Sequence, residues 1–454
     1  MSGDTDGASD LLELADRVVD RARPGEQLEV VVGRDVSTEV RAYEGAVESL
    51  TNAVSLGVGV RVIDGGRVGF ASAGSHEPQL IDDALAAARD NAAFATPDDH
   101  VGVADPDGVE PPDLELADPA LAELSTDRKI ELALELEDAV RSADDRIVGL
   151  ESADYADGIA EAAIVTTSGI REVGHETGAS LVAFALAGDG SETTTGFGWS
   201  VGRGAGGLDP RRAGADAAQR AVRMLGSTKP DSLHTTVVLT PYVTAQFLEI
   251  LASTFSGEAV LKGRSLFADR VGEQVAPPHV TLIDDPTDPT AFTATRMDGE
   301  GLACRRNVLL AEGVVDGFVH NSWSARHMGV VSTGNAVRAG YASTPGVGCH
   351  AVRLVPGDLD HDAILAEVGD GVVVHEVIGL HSGVNPVSGD FSTGAEGRRL
   401  TGGALGEPLR EFTIASTLQK MLGQIVTVGG DVEALPMSAT GVSLVVEGVS
   451  VSGA

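Results

Sequence analysis

The chain has 454 residues, 43% of them hydrophobic, which is ample for two to four domains with sizeable cores and excludes a disordered polypeptide. Acidic residues outnumber basic ones 68 to 32, and a net charge of −36 repels phosphate backbones, so nucleic acid is not an expected partner. No apolar run approaches the ~18 residues of a membrane span, and the start, MSGDTDGASD, shows neither a basic nor an apolar leader region. The expected compartment is cytoplasmic, with no membrane partner.

The acids are spread along the whole chain, and only Lys129, Lys229, Lys262 and Lys420 are lysines. That pattern reads as a salt-adapted surface of the kind a halophilic archaeon carries, kept hydrated where self-repulsion is screened. The two cysteines, Cys304 and Cys349, form no CxxC, so a zinc ribbon and a thioredoxin-like motif are excluded. Two buried thiols are expected.

Ser9 can cap a helix over 9–23 with an apolar stripe of Leu11, Leu12, Ala15, Val18, Val19 and Ala22, ended by Pro24. Leu28, Val30 and Val32 share one strand face. Alternation from Val54 to Phe70 turns at Asp64-Gly65-Gly66, a hairpin signal. Residues 78–96 predict an alanine-rich helix. The stretch 97–120 is rich in proline and aspartate and reads as a linker or surface excursion.

Ser125 opens a helix to about Ala143, followed by strands at Arg146–Ser152, Glu161–Thr167, Ser180–Ala187 and Thr193–Val201. Asp209 opens another helix to about Leu225, and a boundary falls near 226–231. Thr235–Leu239 is a β-branched strand, and Pro241 starts a helix to 254. Beyond it come short strands between glycine turns, with one more helix at Ile414–Leu422. The expected class is α+β: helices packed on an antiparallel sheet, then a β-rich C-terminal domain. The expected regions are 1–120, 121–230 and 231–454.

His375-Glu376 followed by His381 resembles a zinc-protease motif with altered spacing. Six residues place the two histidines about 120° apart on a helix or roughly 20 Å apart on a strand. Neither geometry gives one shared zinc, and Val372-Val373-Val374 predicts a strand. Gly202–Gly207 matches GxGxxG without the acidic residue a dinucleotide site needs about 20 residues later, and reads as a loop. His320 and His327 bracket Trp323, a candidate groove wall. The segment His381–Ser392 is dense in glycine and Asn-Pro turns and is a candidate binding edge.

The segment 379–397, GLHSGVNPVSGDFSTGAEG, resembles the C-terminal signature of the TldD/PmbA family, whose members are also called modulators of DNA gyrase. Ordered matches follow at 256–276, 297–329, 332–338 and 412–431, and the likeness is greatest to the PmbA (TldE) branch. The resemblance implies dimers that enclose a cavity and, in the TldD branch, a zinc peptidase with an HExxxH helix and a later cysteine ligand. Counted from Lys262-Gly263, the two histidine positions fall on Leu248 and Ser253, the glutamate on Glu249, and the cysteine near Met437–Ser438. No metal is then expected in this chain, and Glu249 is expected to be a partly exposed helix carboxylate.

The expected function is that of a zinc-lacking subunit completing a peptide-processing chamber with a zinc-bearing TldD-like subunit. Substrates would be extended, flexible peptides held by strand addition. Gly379, His381, Asn385, Gly389, Asp390, Phe391 and Ser392 are the candidate substrate wall. Two alternatives remain. One is a homodimeric metal-dependent peptidase with a site assembled from residues such as His320, His327, His375 and His381. The other is a peptide-binding scaffold without catalysis.

Overall fold

The computed structural model describes residues 4–453. The first half is built on one long antiparallel sheet. Helix Asp4–Val19 (α1) leads into strands Gln27–Tyr43 (β1), Ala46–Asp64 (β2) and Arg67–Ala73 (β3). The β2–β3 turn is Gly65-Gly66, both at positive φ (56° and 73°), as the Asp-Gly-Gly signal requires. Helix Pro78–Phe94 (α2) follows, then helix Thr126–Ala143 (α3), strands Ile147–Thr166 (β4), Arg171–Gly188 (β5) and Thr193–Gly202 (β6), and helix Pro210–Val222 (α4). The strand order is β3-β2-β1-β4-β5-β6. Because β1 pairs with β4 from Glu29↔Thr166 to Ala42↔Ala153, the segments on either side of residue 120 share one sheet.

Two helix pairs cover this sheet. α1 and α2 bury Leu28, Val30, Val32, Val58, Val60 and Val62 at one end. α3 and α4 bury Val40, Ala42, Tyr155, Leu181 and Ala183 at the other. Ser125 and Asp209 cap α3 and α4 through their side chains, as read from the sequence. α4 lies so close to β6 that a Cβ on Gly198 would sit 2.0 Å from the Ala213 carbonyl oxygen.

The second half starts with Leu233–Leu239 (β7), helix Pro241–Ser253 (α5) and helix Gly257–Leu261 (α6). Short strands Leu282–Asp284 (β8), Asn307–Ala311 (β9) and Val314–Val315 (β10) precede helix Ser322–Met328 (α7), and Ala336–Val337 (β11), Gly346–Val347 (β12) and Val352–Leu354 (β13) follow it. Helix His361–Val368 (α8), strand Gly371–Ile378 (β14), the single turn Leu380–Gly383 (α9), strands Asp390–Thr401 (β15) and Ala404–Thr417 (β16), helix Leu418–Gly423 (α10) and strands Ile425–Val428 (β17) and Leu444–Ser452 (β18) complete it. The sheet β16-β15-β14-β7-β18-β17 curls until β16 also pairs with β18, a barrel-like closure around the largest core. The class is α+β with a β-rich C-terminal domain, as the sequence predicts.

Four local expectations are corrected. α1 begins at Asp4, so Ser9 lies inside the helix instead of capping it. The strands expected at 146–152 and 161–167 are one 20-residue strand, because the small residues between them alternate in and out and pair with both β1 and β5. The helix expected from 414 begins only at Leu418, since Thr413, Ile414 and Ala415 pair with β18. Most informative is 97–118, which has no helix or strand: its middle, 105–110, is exposed as a surface excursion would be, but the stretches on either side are packed in. Val103, Ala104 and Leu116 are buried, and the segment is held between the first sheet and the C-terminal domain. Gln27 accepts the Val103 N–H, and the Arg326 guanidinium donates to the Gly102 and Val103 carbonyls.

The same seam holds a buried ion network. Glu29 on β1 accepts from Arg61 on β2 (2.5 and 3.1 Å) and from Arg338 of the C-terminal half, with Glu300 3.7 Å from Arg61. Removing one member of such a network strands a buried charge, so it fixes how the halves meet.

Candidate functional site

Helix α5 buries Leu248 completely, in one core with Leu251, Phe247 and Leu282. Its neighbour Glu249 lies on the half-buried face. There one carboxylate oxygen, Oε1, accepts both the Ser438 backbone N–H at 2.8 Å and the Ser438 hydroxyl at 2.6 Å. Ser253, one turn on, donates its hydroxyl to the Ile250 carbonyl at 2.7 Å. Glu249 is the partly exposed helix carboxylate that the sequence suggests, and it also pins the 437–438 loop against α5.

The surroundings are aromatic and charged. Tyr242 packs edge-on against Phe197 (5.1 Å) and near Trp199 (5.5 Å), and the Arg220 guanidinium lies over Trp199 at 4.2 Å and Phe197 at 4.9 Å. Burial pushes the Tyr242 phenol up, helped by Glu376 and Glu249. Burial pulls Arg220 down against the opposing pull of Glu433, Asp216 and Glu376. Burial likewise raises Glu376 and Glu433. This corner joins α4 and β6 of the first half to α5 and β14 of the second.

A zinc ion needs three protein ligands and an open position. Leu248 has no lone pair and lies in the core. Ser253 and Ser438 have already given their hydroxyl protons to neighbours. These positions do not make a zinc donor set.

The candidate substrate wall falls into separate environments. His381, Asn385, Asp390 and Ser392 are exposed. Asn385 closes its own turn, its side-chain oxygen accepting the Val387 and Ser388 N–H groups, and Asp390 accepts from the Ser388 hydroxyl at 2.7 Å. Gly379 and Gly389 stand at positive φ (79° and 86°), and a side chain at 389 would strike Gln419. Phe391 is no wall residue: it is buried in the core and packs edge-on against Phe247. A β-strand alternates its faces, so Ser392 points out because Phe391 points in.

The dispersed histidines do not converge. His375 on β14 is half-buried, its imidazole held far below its usual range by desolvation and by Arg223, whereas His381 is exposed on α9. His320 is buried against the Ser324 hydroxyl. His327 meets Asp98, which also accepts the Trp323 indole N–H at 2.9 Å. Trp323 does line a cleft of about 320 Å³, with Arg61, Val101, Gly102, Lys262 and Asn321. Asp98 escaped the sequence reading because nothing local ties the 97–120 segment to a helix more than 200 residues later. Both cysteines are free; burial raises each thiol, so neither is a nucleophile at neutral pH.

Comparison with known proteins now adds to this geometry. Three family models match in order: PmbA/TldA metallopeptidase domain 1 over residues 28–92, the central domain over 119–225, and the C-terminal domain over 232–453. The chain is 30% identical over 431 residues to the metalloprotease PmbA of Escherichia coli O157:H7, covering 94% of this chain and 91% of that one. It is 27% identical to a metalloprotease of Methanothermobacter thermautotrophicus over 95% of this chain and 92% of that one. The crystal structure of a protein from Thermotoga maritima described as a modulator of a DNA gyrase superposes with a TM-score of 0.88 at 26% identity, covering 97% and 99% of the two chains. With all three domain models matched in order and a relative aligned along nearly its whole length, the chain belongs to the PmbA/TldD metallopeptidase family.

Proposed function

We propose that this chain is the subunit of a TldD/TldE-type peptidase assembly that does not itself hold the catalytic zinc. The observation that carries the reading is the state of α5. Leu248 belongs to the core, Ser253 is bound to its own helix, and Glu249 is spent on Ser438. A peptidase base must be free to take a proton from water; a carboxylate already accepting two hydrogen bonds as a loop anchor is poorly placed to do so. The zinc would be held by a TldD-like partner with an intact HExxxH, and the joint substrate would be an extended peptide.

The surface this reading gives to the partner lies on the outer half of the β1–β2 hairpin. β3 pairs β2 only from Val58 onward, which leaves 46–57 with one open edge. On the helix-facing side of that stretch Val36 opposes Val54 and Val40 opposes Leu50, and Val36, Leu50 and Val54 are exposed between the two helix pairs. An open strand edge beside an apolar stripe suits strand addition by a folded partner.

The test is reconstitution. The purified chain alone should leave an unfolded model peptide intact, and addition of a TldD-like chain should produce cleavage that survives Glu249→Gln in this chain. Cleavage by the chain alone, abolished by that substitution, would overturn the proposal and favour the homodimeric peptidase.

A further inference from the structure

Three side chains able to ligate a metal converge from segments far apart in the sequence. Asp98 and His100 lie just after α2, and His327 lies at the end of α7. One ligand atom from each falls within 4.8 Å of the other two. The distance from Asp98 Oδ2 to His327 Nε2 is 3.2 Å. Two ligands on one tetrahedral zinc, each at about 2.0–2.1 Å from the ion, stand about 3.4 Å apart. The His100 and His327 rings are 4.0 Å apart and tilted by 35°, so both imidazoles already border the same space.

The carboxylate is oriented by bonds other than those between the three side chains, as ligands in metal sites are. Asp98 Oδ1 accepts the His100 backbone N–H at 2.8 Å, and Oδ2 accepts the Trp323 indole N–H at 2.9 Å. Partial burial opposes ionisation of Asp98, but the bonds from Trp323, the His100 backbone and His327 outweigh it and hold the group down at about 2. Without a metal, the His327–Asp98 contact is an ordinary hydrogen bond, and the His100 ring stacks on His327 with no hydrogen-bond partner among the described residues. A merely structural pair gives no reason for a second imidazole to be held against the first.

We propose that Asp98, His100 and His327 bind one divalent transition ion of the zinc class, leaving its fourth position open. Two imidazoles and one carboxylate suit zinc, cobalt or nickel over magnesium or calcium, which take all-oxygen shells. The ion would clip the 97–118 segment to α7, beside the Trp323 cleft. It is separate from α5, so metal found in this chain would not by itself be evidence of a peptidase centre.

The test uses the chelator-stripped full chain titrated with cobalt(II) chloride in about 1 M salt, where a Debye length near 3 Å suppresses loose condensation on the acidic surface. The expected result is one equivalent bound, with the visible absorption of four-coordinate cobalt, displaced by one equivalent of zinc and not by magnesium. His100→Gln should weaken binding by about 10–100-fold or more while leaving the metal-free melting temperature unchanged, since that ring has no hydrogen-bond partner among the described residues. X-ray absorption of the zinc-loaded parent should count two imidazole nitrogens. Absence of stoichiometric uptake by the parent, equal uptake by parent and His100→Gln, or a shell without imidazole would each overturn the assignment.

Discussion

Glu249→Ala tests the central observation about α5 most directly. The substitution deletes an acceptor that takes two hydrogen bonds from one residue, the Ser438 N–H and hydroxyl at 2.8 and 2.6 Å. A hydrogen bond to an ionised group contributes about 1.5–3 kcal/mol when buried. Both partners here are half-buried, so the low end applies and the pair together is worth about 2–3 kcal/mol. In a chain of several regions a global midpoint would dilute a loss this local. Hydrogen exchange of the segment around Ser438 reads that loss directly. Its protection should fall by about 30–150-fold, at 1.36 kcal/mol per factor of ten. Ser438→Ala, which keeps the backbone bond, should lose about tenfold, and Glu249→Gln, which keeps an acceptor oxygen, should lose less than Glu249→Ala. If protection in Glu249→Ala stays within about threefold of the parent, Glu249 is a solvated surface carboxylate and the pinning argument is wrong.

Three further predictions follow from other parts of the molecule. His375 is held neutral by burial, and neither ring nitrogen meets a hydrogen-bond partner among the described residues. The unfolded chain takes up that proton near pH 6.5 and the folded chain only well below it. Stability from this group is therefore complete above about pH 6.5 and is lost on acidification by up to about 1.4 kcal/mol per pH unit; a His375→Leu variant with an unchanged acid slope of unfolding free energy would contradict this. Gly198→Ala forces a methyl into the α4 backbone and should cost about 1–3 kcal/mol by thermal unfolding, whereas Gly174→Ala, with open space at its Cβ, should stay within about 0.5 kcal/mol. Val54→Asp on the open hairpin edge should weaken association with a TldD-like partner at least about tenfold in Kd, near 1.4 kcal/mol; unchanged association by calorimetry would move the interface elsewhere.

Much of the architecture was legible because it is written in short-range chemistry. Ser125 and Asp209 are caps, Pro241 opens α5, and Asp64-Gly65-Gly66 turns β2 into β3; each acts through neighbours a few residues away. The errors came where distant partners overrule local preference. The stretch 153–160 is too rich in small residues to announce a strand, yet pairing on both sides makes it the middle of β4. Residues 414–417 suit a helix until β15, and β18 over 414–415, claim their backbone.

The candidate sites divide in the same way. Which residue types stand at 248, 249 and 253 is a property of the sequence alone, and leucine cannot ligate a metal in any fold. That Glu249 reaches Ser438, that Phe391 turns inward beneath Ser392, and that Asp98 and His100 meet His327 are facts of tertiary structure. Sequence spacing carries no information about contacts between residues some 190 to 230 positions apart. The packing of the first sheet against the C-terminal domain, with the 97–118 segment held between them, is what brings Asp98 and His100 to His327.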